Sequence, residues 1–408
     1  MGIATKLQMA ALMVGASLLV GNMARAQAFD AEAIEAATFE RWKQREAGKA
    51  VLEVDQRSGE VEAAEGSQSS SEEGDSATVS VPGQSDTVVE TPEASTDVPD
   101  EAAAQVQADP SIKEEAEEAS SESAEGPDPF LVRVQVLLDR AYTSPGVIDG
   151  LMGENTRKAI EAYQRIKDMD VTGEITAELW SSLSQDEASP VQTYKLTEDD
   201  INGRYVDEVP DDYAKLAELD WIGYHDVTEM LAERFHMDQD LLKLLNPNTD
   251  FTAAGTEIAV VAPGGVPEKQ VTRIEIDKEK GELRAFGDGD KPVFVAPATI
   301  GSEDTPSPSG TMKVLAAVED PTYTYNPEEN FQQGDNKEKL EIAPGPNGPV
   351  GNVWIDLSKP TYGIHGTPEP AMIDKSASHG CVRLTNWDAG RLADLVKPEE
   401  TSVEFLEE

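Results

Sequence analysis

Ser378-His379-Gly380-Cys381-Val382-Arg383 contains the only cysteine among 408 residues, and two of the four histidines, His365 and His379, lie within 16 positions of it. A lone thiol has no disulfide partner in its own chain, so it is either an inert buried side chain or a reactive one. Burial is the commoner fate. Here a histidine, a glycine and an arginine crowd the sulfur, and each has a part in thiol catalysis: a base, a backbone open to close approach, and a cation for an anion.

Strand geometry sharpens the reading. Trp354-Ile355-Asp356-Leu357, Tyr362-Gly363-Ile364-His365 and Cys381-Val382-Arg383-Leu384 each read as short strands. His379 shares a face with Cys381 but stands roughly 6–7 Å away along one strand. A histidine on a neighbouring strand comes closer, because directly opposed side-chain carbons sit about 4.5–5.5 Å apart. His365 is therefore the expected base for Cys381, and His379 a supporting or substrate-orienting group. The amides of Gly380 and Cys381 can form an oxyanion hole. Arg383, on the face of Cys381, can favour the thiolate or hold a substrate carboxylate.

Taken together, Tyr362-Gly363-Ile364-His365-Gly366-Thr367 and Ser378-His379-Gly380-Cys381-Val382-Arg383-Leu384 resemble the signature of the L,D-transpeptidase (YkuD-like) family. Upstream, Thr305 to Gly310, Tyr323 to Pro327, and Pro344 to Gly351 followed by Trp354 are also typical of it. The resemblance spans residues 269–408 and implies a mostly-β catalytic sandwich. It implies that Cys381 attacks a peptide carbonyl of a peptidoglycan stem and that His365 accepts and donates the proton. It also implies that the carbonyl of Gly366 orients His365, and that Ser378, Tyr362, Asn347 and Arg383 lie along the substrate. No metal or organic cofactor is implied. The expected reaction joins tetrapeptide stems by 3→3 cross-links. The same acyl-enzyme would serve an L,D-carboxypeptidase, an endopeptidase, or a transferase that anchors an envelope protein. Two readings of other classes stand beside it: a non-catalytic wall-binding scaffold, and a zinc site of His365, His379 and Cys381 lacking an evident fourth ligand.

The rest of the chain fits an exported multidomain protein. Residues 1–26 carry Lys6, an apolar run from Met9 to Val20 and Ala24-Arg25-Ala26, the pattern of a secretory signal cleaved after Ala26 or Ala28. No later stretch is long enough to span a bilayer, so no integral membrane segment is expected after cleavage, and the place is the periplasm or cell wall of a bacterium. The formal charge of −46 excludes nucleic acid as a natural partner. Residues 27–50 read as a short helical tail. Residues 51–127 are rich in Ser, Glu, Ala and Pro without aromatics, and read as a disordered acidic linker. Residues 128–186 show three apolar helical stripes around Asp149-Gly150-Leu151-Met152-Gly153, and resemble the peptidoglycan-binding domain 1 module, a small helical bundle that binds wall glycan. Residues 191–263 are similar to the helical half and last strand of a LysM motif, with no recognisable first strand. His225 and His236 within it read as surface or satisfied core residues. The long proline-rich segment from Ser302 to Pro349 reads as a substrate lid, and Thr385 as the cap of a helix from Asn386 to about Val396.

Overall fold

The computed structural model describes residues 29–49, 126–301, 307–328, 333–375 and 380–406. The expected signal, the linker up to residue 125, Phe331, Ser378 and His379 lie outside the described residues.

The helical module follows its stripes. Asp128 caps α3 (Pro129–Arg140) by accepting the amides of Phe130 and Leu131, with proline at the first helical position where no amide partner is needed. Against it pack α4 (Glu154–Ile166) and α5 (Ala177–Leu183), burying Phe130, Val134, Leu138, Ile160 and Leu179. The segment before the linker is no free tail. Its two helices, α1 (Ala31–Glu35) and α2 (39–49), dock on this module. Ile34 is fully buried, Phe39 and Trp42 stack around Phe130, and Arg133 donates to the carbonyls of Glu35 and Ala37. Burial of Ile34 and Phe39 holds this stretch against the bundle, in place of the free tail expected.

The middle unit contains a strand at its start that the pattern did not reveal. Strand β1 (Val191–Lys195) pairs antiparallel with β2 (Glu257–Val261). Only Val191 of β1 is buried, so the strand carries no alternation to read. Helices α8 (Val227–Arg234) and α9 (Gln239–Leu245) complete it, with Leu231, Leu241, Leu242, Ile258 and Val260 in one core. Between β1 and α8, the chain forms α6 (Glu198–Ile201) and then leaves the unit. Helix α7 (Tyr213–Leu216) lands on the C-terminal region, where Tyr213 meets Tyr323 and Tyr325 edge-on at 5.9 and 5.2 Å.

The C-terminal region is one nine-stranded sheet in the order β5-β4-β3-β13-β7-β10-β11-β12-β6. The strands are β3 (Arg273–Asp277), β4 (Glu282–Phe286), β5 (Pro292–Pro297), β6 (Thr299–Ile300), β7 (Gly310–Glu319), β10 (Val353–Leu357), β11 (Gly363–His365), β12 (Val382–Arg383) and β13 (Ser402–Phe405). Residues from both halves, including Ile274, Leu283, Phe294, Ile355, Ile364 and Val382, share one core with Leu392 and Leu395 of α10 (Asn386–Leu395). The sheet thus curls into the expected mostly-β sandwich. The segment 302–349 is less irregular than its composition suggested. It supplies the long central strand β7 and a hairpin of β8 (Tyr323–Tyr325) and β9 (Leu340–Ile342), whose tyrosines are buried under α7.

The units are bolted together by buried charge. Arg391 of α10 grips both oxygens of Asp139 at the end of α3, at 2.7 and 2.9 Å. Asp139 also accepts the amide of Gly264 and approaches Nδ1 of His236, whose ring stacks on Trp387. Arg165 of α4 makes a second two-pronged bond to Glu282 of β4, and Lys158 pairs with Asp374. His236 is thus a satisfied core residue, while His225 is half-exposed beside Glu229.

Candidate active site

Strands β11 and β12 are parallel neighbours, and their register sets Ile364 opposite Val382 and His365 opposite Arg383. Arg383, rather than Cys381, therefore faces His365 directly, and the thiol lies one diagonal step away, just before β12 begins. The direct opposition expected between His365 and Cys381 is therefore not made, and the two residues stand diagonally across the pair. The described residues make no hydrogen bond between the thiol and the imidazole. Instead Cys381 Sγ donates to the carbonyl of Thr361 at 3.6 Å. Thr361 has φ of +73°, a left-handed conformation that a β-branched residue adopts only under constraint.

His365 is fully buried. Its Nδ1 donates to the carbonyl of Gly366 at 2.6 Å, which fixes the tautomer with Nδ1 protonated and leaves Nε2 as the basic nitrogen. Nε2 is buried and has no hydrogen-bond partner among the described residues. Trp354, paired with His365 across β10 and β11, stacks on the imidazole at 5.7 Å. Gly363 makes room for that indole, since a side chain there would overlap the Trp354 ring.

Burial governs both titrating groups. It pulls the imidazole down to about 3, helped by the positive charge of Arg383 and opposed by the Gly366 bond. It pushes the Cys381 thiol up to about 11, a rise that a Gly363 backbone hydrogen bond and Arg383 partly offset. The resting pair is a neutral thiol beside a neutral imidazole.

The remaining expected residues divide. Gly380 is buried with φ of +108°, and its carbonyl accepts Ser307 Oγ at 2.9 Å. Tyr362 is half-buried with Lys359 over its ring. Asn347 is not placed to meet a substrate: it is 5 % exposed, and its Nδ2 donates to Gly223 O and Glu229 Oε1 of the middle unit at 3.1 and 3.0 Å. Its asparagine sits in a loop that another unit covers, which the local motif could not reveal.

The sequence reading missed Asn386. Its carboxamide enters a slot between Gly351 and Gly366, where a side chain at either glycine would collide with Oδ1. Oδ1 accepts the amides of Thr367 and Asn352 at 3.1 and 3.3 Å, and Nδ2 donates to Pro346 O and Glu233 Oε2 at 3.2 and 3.0 Å. The signal was present as two successive cap-forming residues, Thr385 and Asn386, where one cap suffices. Thr385 alone caps α10.

Comparison with known proteins finds two domains in the chain. The family described as L,D-transpeptidase catalytic domain matches residues 271–404, and the putative peptidoglycan binding domain matches residues 128–183. A putative L,D-transpeptidase YkuD of Bacillus licheniformis is 29% identical over 176 residues, which cover 43% of this chain and 90% of that protein. The Bacillus subtilis protein of that name is 52% identical over 58 residues, 14% of this chain and 35% of its own. A probable L,D-transpeptidase YbiS of Escherichia coli is 30% identical over 186 residues, 44% of this chain and 60% of its own. The chain thus spans less than two thirds of the last two. Among solved structures, the catalytic domain of an E. faecium L,D-transpeptidase aligns with TM-score 0.25 and 23% identity, covering 34% of this chain and 99% of that one. Residues 271–404 thus match the L,D-transpeptidase catalytic domain, and residues 128–183 before them match the putative peptidoglycan binding domain.

Proposed function

We propose that the protein is a cell-wall L,D-transpeptidase that forms 3→3 cross-links through a thioester on Cys381. The observation that supports this most is the imidazole of His365: tied at Nδ1, unpartnered at Nε2, and one diagonal step from the only thiol. Because the resting pair is neutral, the thiol proton moves to Nε2 as the sulfur attacks rather than beforehand. Sγ bonds to the carbonyl carbon of the L-to-D peptide bond of a tetrapeptide stem, and the carbonyl oxygen takes the negative charge near the amides of Gly380 and Cys381. The C–N bond then breaks, the imidazolium returns its proton to the nitrogen, and D-alanine departs. The side-chain amine of a second stem attacks the thioester, gives its proton to His365 and releases the thiol. Arg383, central to the pair, stabilises the anionic stages. Tyr362, Ser378 and His379 are assigned to the substrate path.

Water as acceptor makes the same machinery a carboxypeptidase, and a lysine of an envelope protein makes it an anchoring transferase. The helical module at 128–183 holds the enzyme on wall glycan, and residues 1–26 direct export to the periplasm or wall. Among the described residues, no helix is long and apolar enough to cross a membrane.

The test is incubation of the mature protein with purified tetrapeptide muropeptides, read by mass spectrometry beside Cys381→Ala. Dimers lacking one D-alanine, absent with Cys381→Ala, are expected. Tripeptides alone assign water or a protein as acceptor. Untouched muropeptides with no acyl-enzyme overturn the catalytic reading in favour of a wall-binding scaffold.

A further inference from the structure

Helix α8 of the middle unit carries Glu229 and Glu233 one turn apart, on one side of the helix. Both are buried, at 8 % and 7 % exposure, although glutamate is ordinarily among the most exposed residues. Each holds an asparagine of the catalytic domain: Glu229 takes Nδ2 of Asn347, and Glu233 takes Nδ2 of Asn386. The second contact leads to the imidazole. Asn386 Oδ1 accepts the amide of Thr367, and the same peptide unit presents the Gly366 carbonyl to His365 Nδ1. A peptide unit is planar, so fixing its N–H direction fixes its C=O direction. The way the carboxamide faces is set on its other side, by Glu233 Oε2 and Pro346 O.

We propose that Glu233, contributed by the middle unit, is a positioning residue for His365. It holds the Asn386 carboxamide with its oxygen toward Thr367, and through that peptide aims the carbonyl that orients the ring. The middle unit then completes the active site rather than merely joining two modules. Burial pushes Glu233 up to about 8, with Glu229 adding to the rise and the Asn386 and Tyr224 bonds opposing it. Around neutral pH it is mostly the uncharged acid, which glutamine reproduces in shape and polarity.

The inference rests on His365 being the base, so its test has a readout that needs no turnover. The full chain labelled with 15N-histidine shows His365 protonated at Nδ1 and bare at Nε2, its signals assigned by their loss in His365→Ala. Glu233→Gln is expected to keep that signature and the wild-type acylation rate. Glu233→Met, which keeps volume and removes the acceptor, is expected to drift toward mixed tautomers and to lower kcat about tenfold or more with KM nearly unchanged. If Glu233→Met does not fold, Glu233→Ala carries the same expectation, because water can enter the space. A folded acceptor-free variant with unchanged tautomer overturns the inference. A wild type with the signature but no acylation overturns the proposed function alone.

Discussion

At Cys381 the decisive fact is a proton on sulfur. A thiol pushed up to about 11 is ionised roughly tenfold less for each unit that pH lies below that value, as any acid is. Alkylation of the single cysteine by iodoacetamide is therefore expected to climb about tenfold per pH unit from 7 to 10; a plateau by pH 8 would show a thiolate already formed. His365 works in the opposite sense on stability. Its folded form stays neutral down to about 3, whereas the unfolded imidazole takes a proton near 6.5. The unfolded state thus binds more protons between those values, and stability is lost as pH falls through that window. His365→Gln is expected to flatten this acid-side slope in urea titrations. Cys381, His365, Arg383 and Gly380 were all legible in the sequence, because unusual residue types cluster there. Asn386 and Glu233 were not, because each acts through a partner that lies far away along the chain.

Elements fit around that residue set with little slack. Gly351 and Gly366 leave the slot for Asn386, and Gly363 leaves the one for Trp354. Gly366→Ala is expected to cost about 1–3 kcal/mol in urea unfolding, the usual range for overpacking, and to lower acylation as the carbonyl shifts. Helix α8 adds a pH effect of its own. Between the ordinary value of 4.5 and about 8, the folded chain keeps a proton on Glu233 that the unfolded chain releases. Stability therefore falls as pH rises across that range. Glu233→Gln is expected to remove this loss, so that the variant gains on wild type from pH 5 to 8; equal slopes would mean that Glu233 is ionised in the fold. The periodic helices α3, α4 and α5 were readable from their stripes. Strand β1 was not, since one buried residue gives no period, and β7 was hidden by the prolines and glycines around it.

On the scale of the molecule, the three units share one polar junction. Arg391 pairs with Asp139 at full burial, and although burial pushes that carboxyl up, its contacts with His236 and Arg391 hold it well below its usual range. Removing one partner of such a pair strands the other. Asp139→Ala is expected to cost about 3–5 kcal/mol and to split a single thermal transition into two. A single transition shifted by less than about 1 kcal/mol, an ordinary surface effect, would mean the junction is not what couples the units. The sequence showed the succession of modules but gave no sign of this junction, because its charges come from three regions and look like ordinary surface residues in each.

The place of β13 has a consequence for when the protein can fold. Residues 402–405 lie between β3 and β7, parallel to one and antiparallel to the other, so the backbone hydrogen bonds that join the two halves of the sheet run through a strand that follows the other described strands. A nascent chain still lacking them cannot close the sandwich, however long it pauses. The register that joins β3 to β7 is thus expected to form only after residues 402–405 have been made, and truncation before Ser402 to leave both strands without that partner.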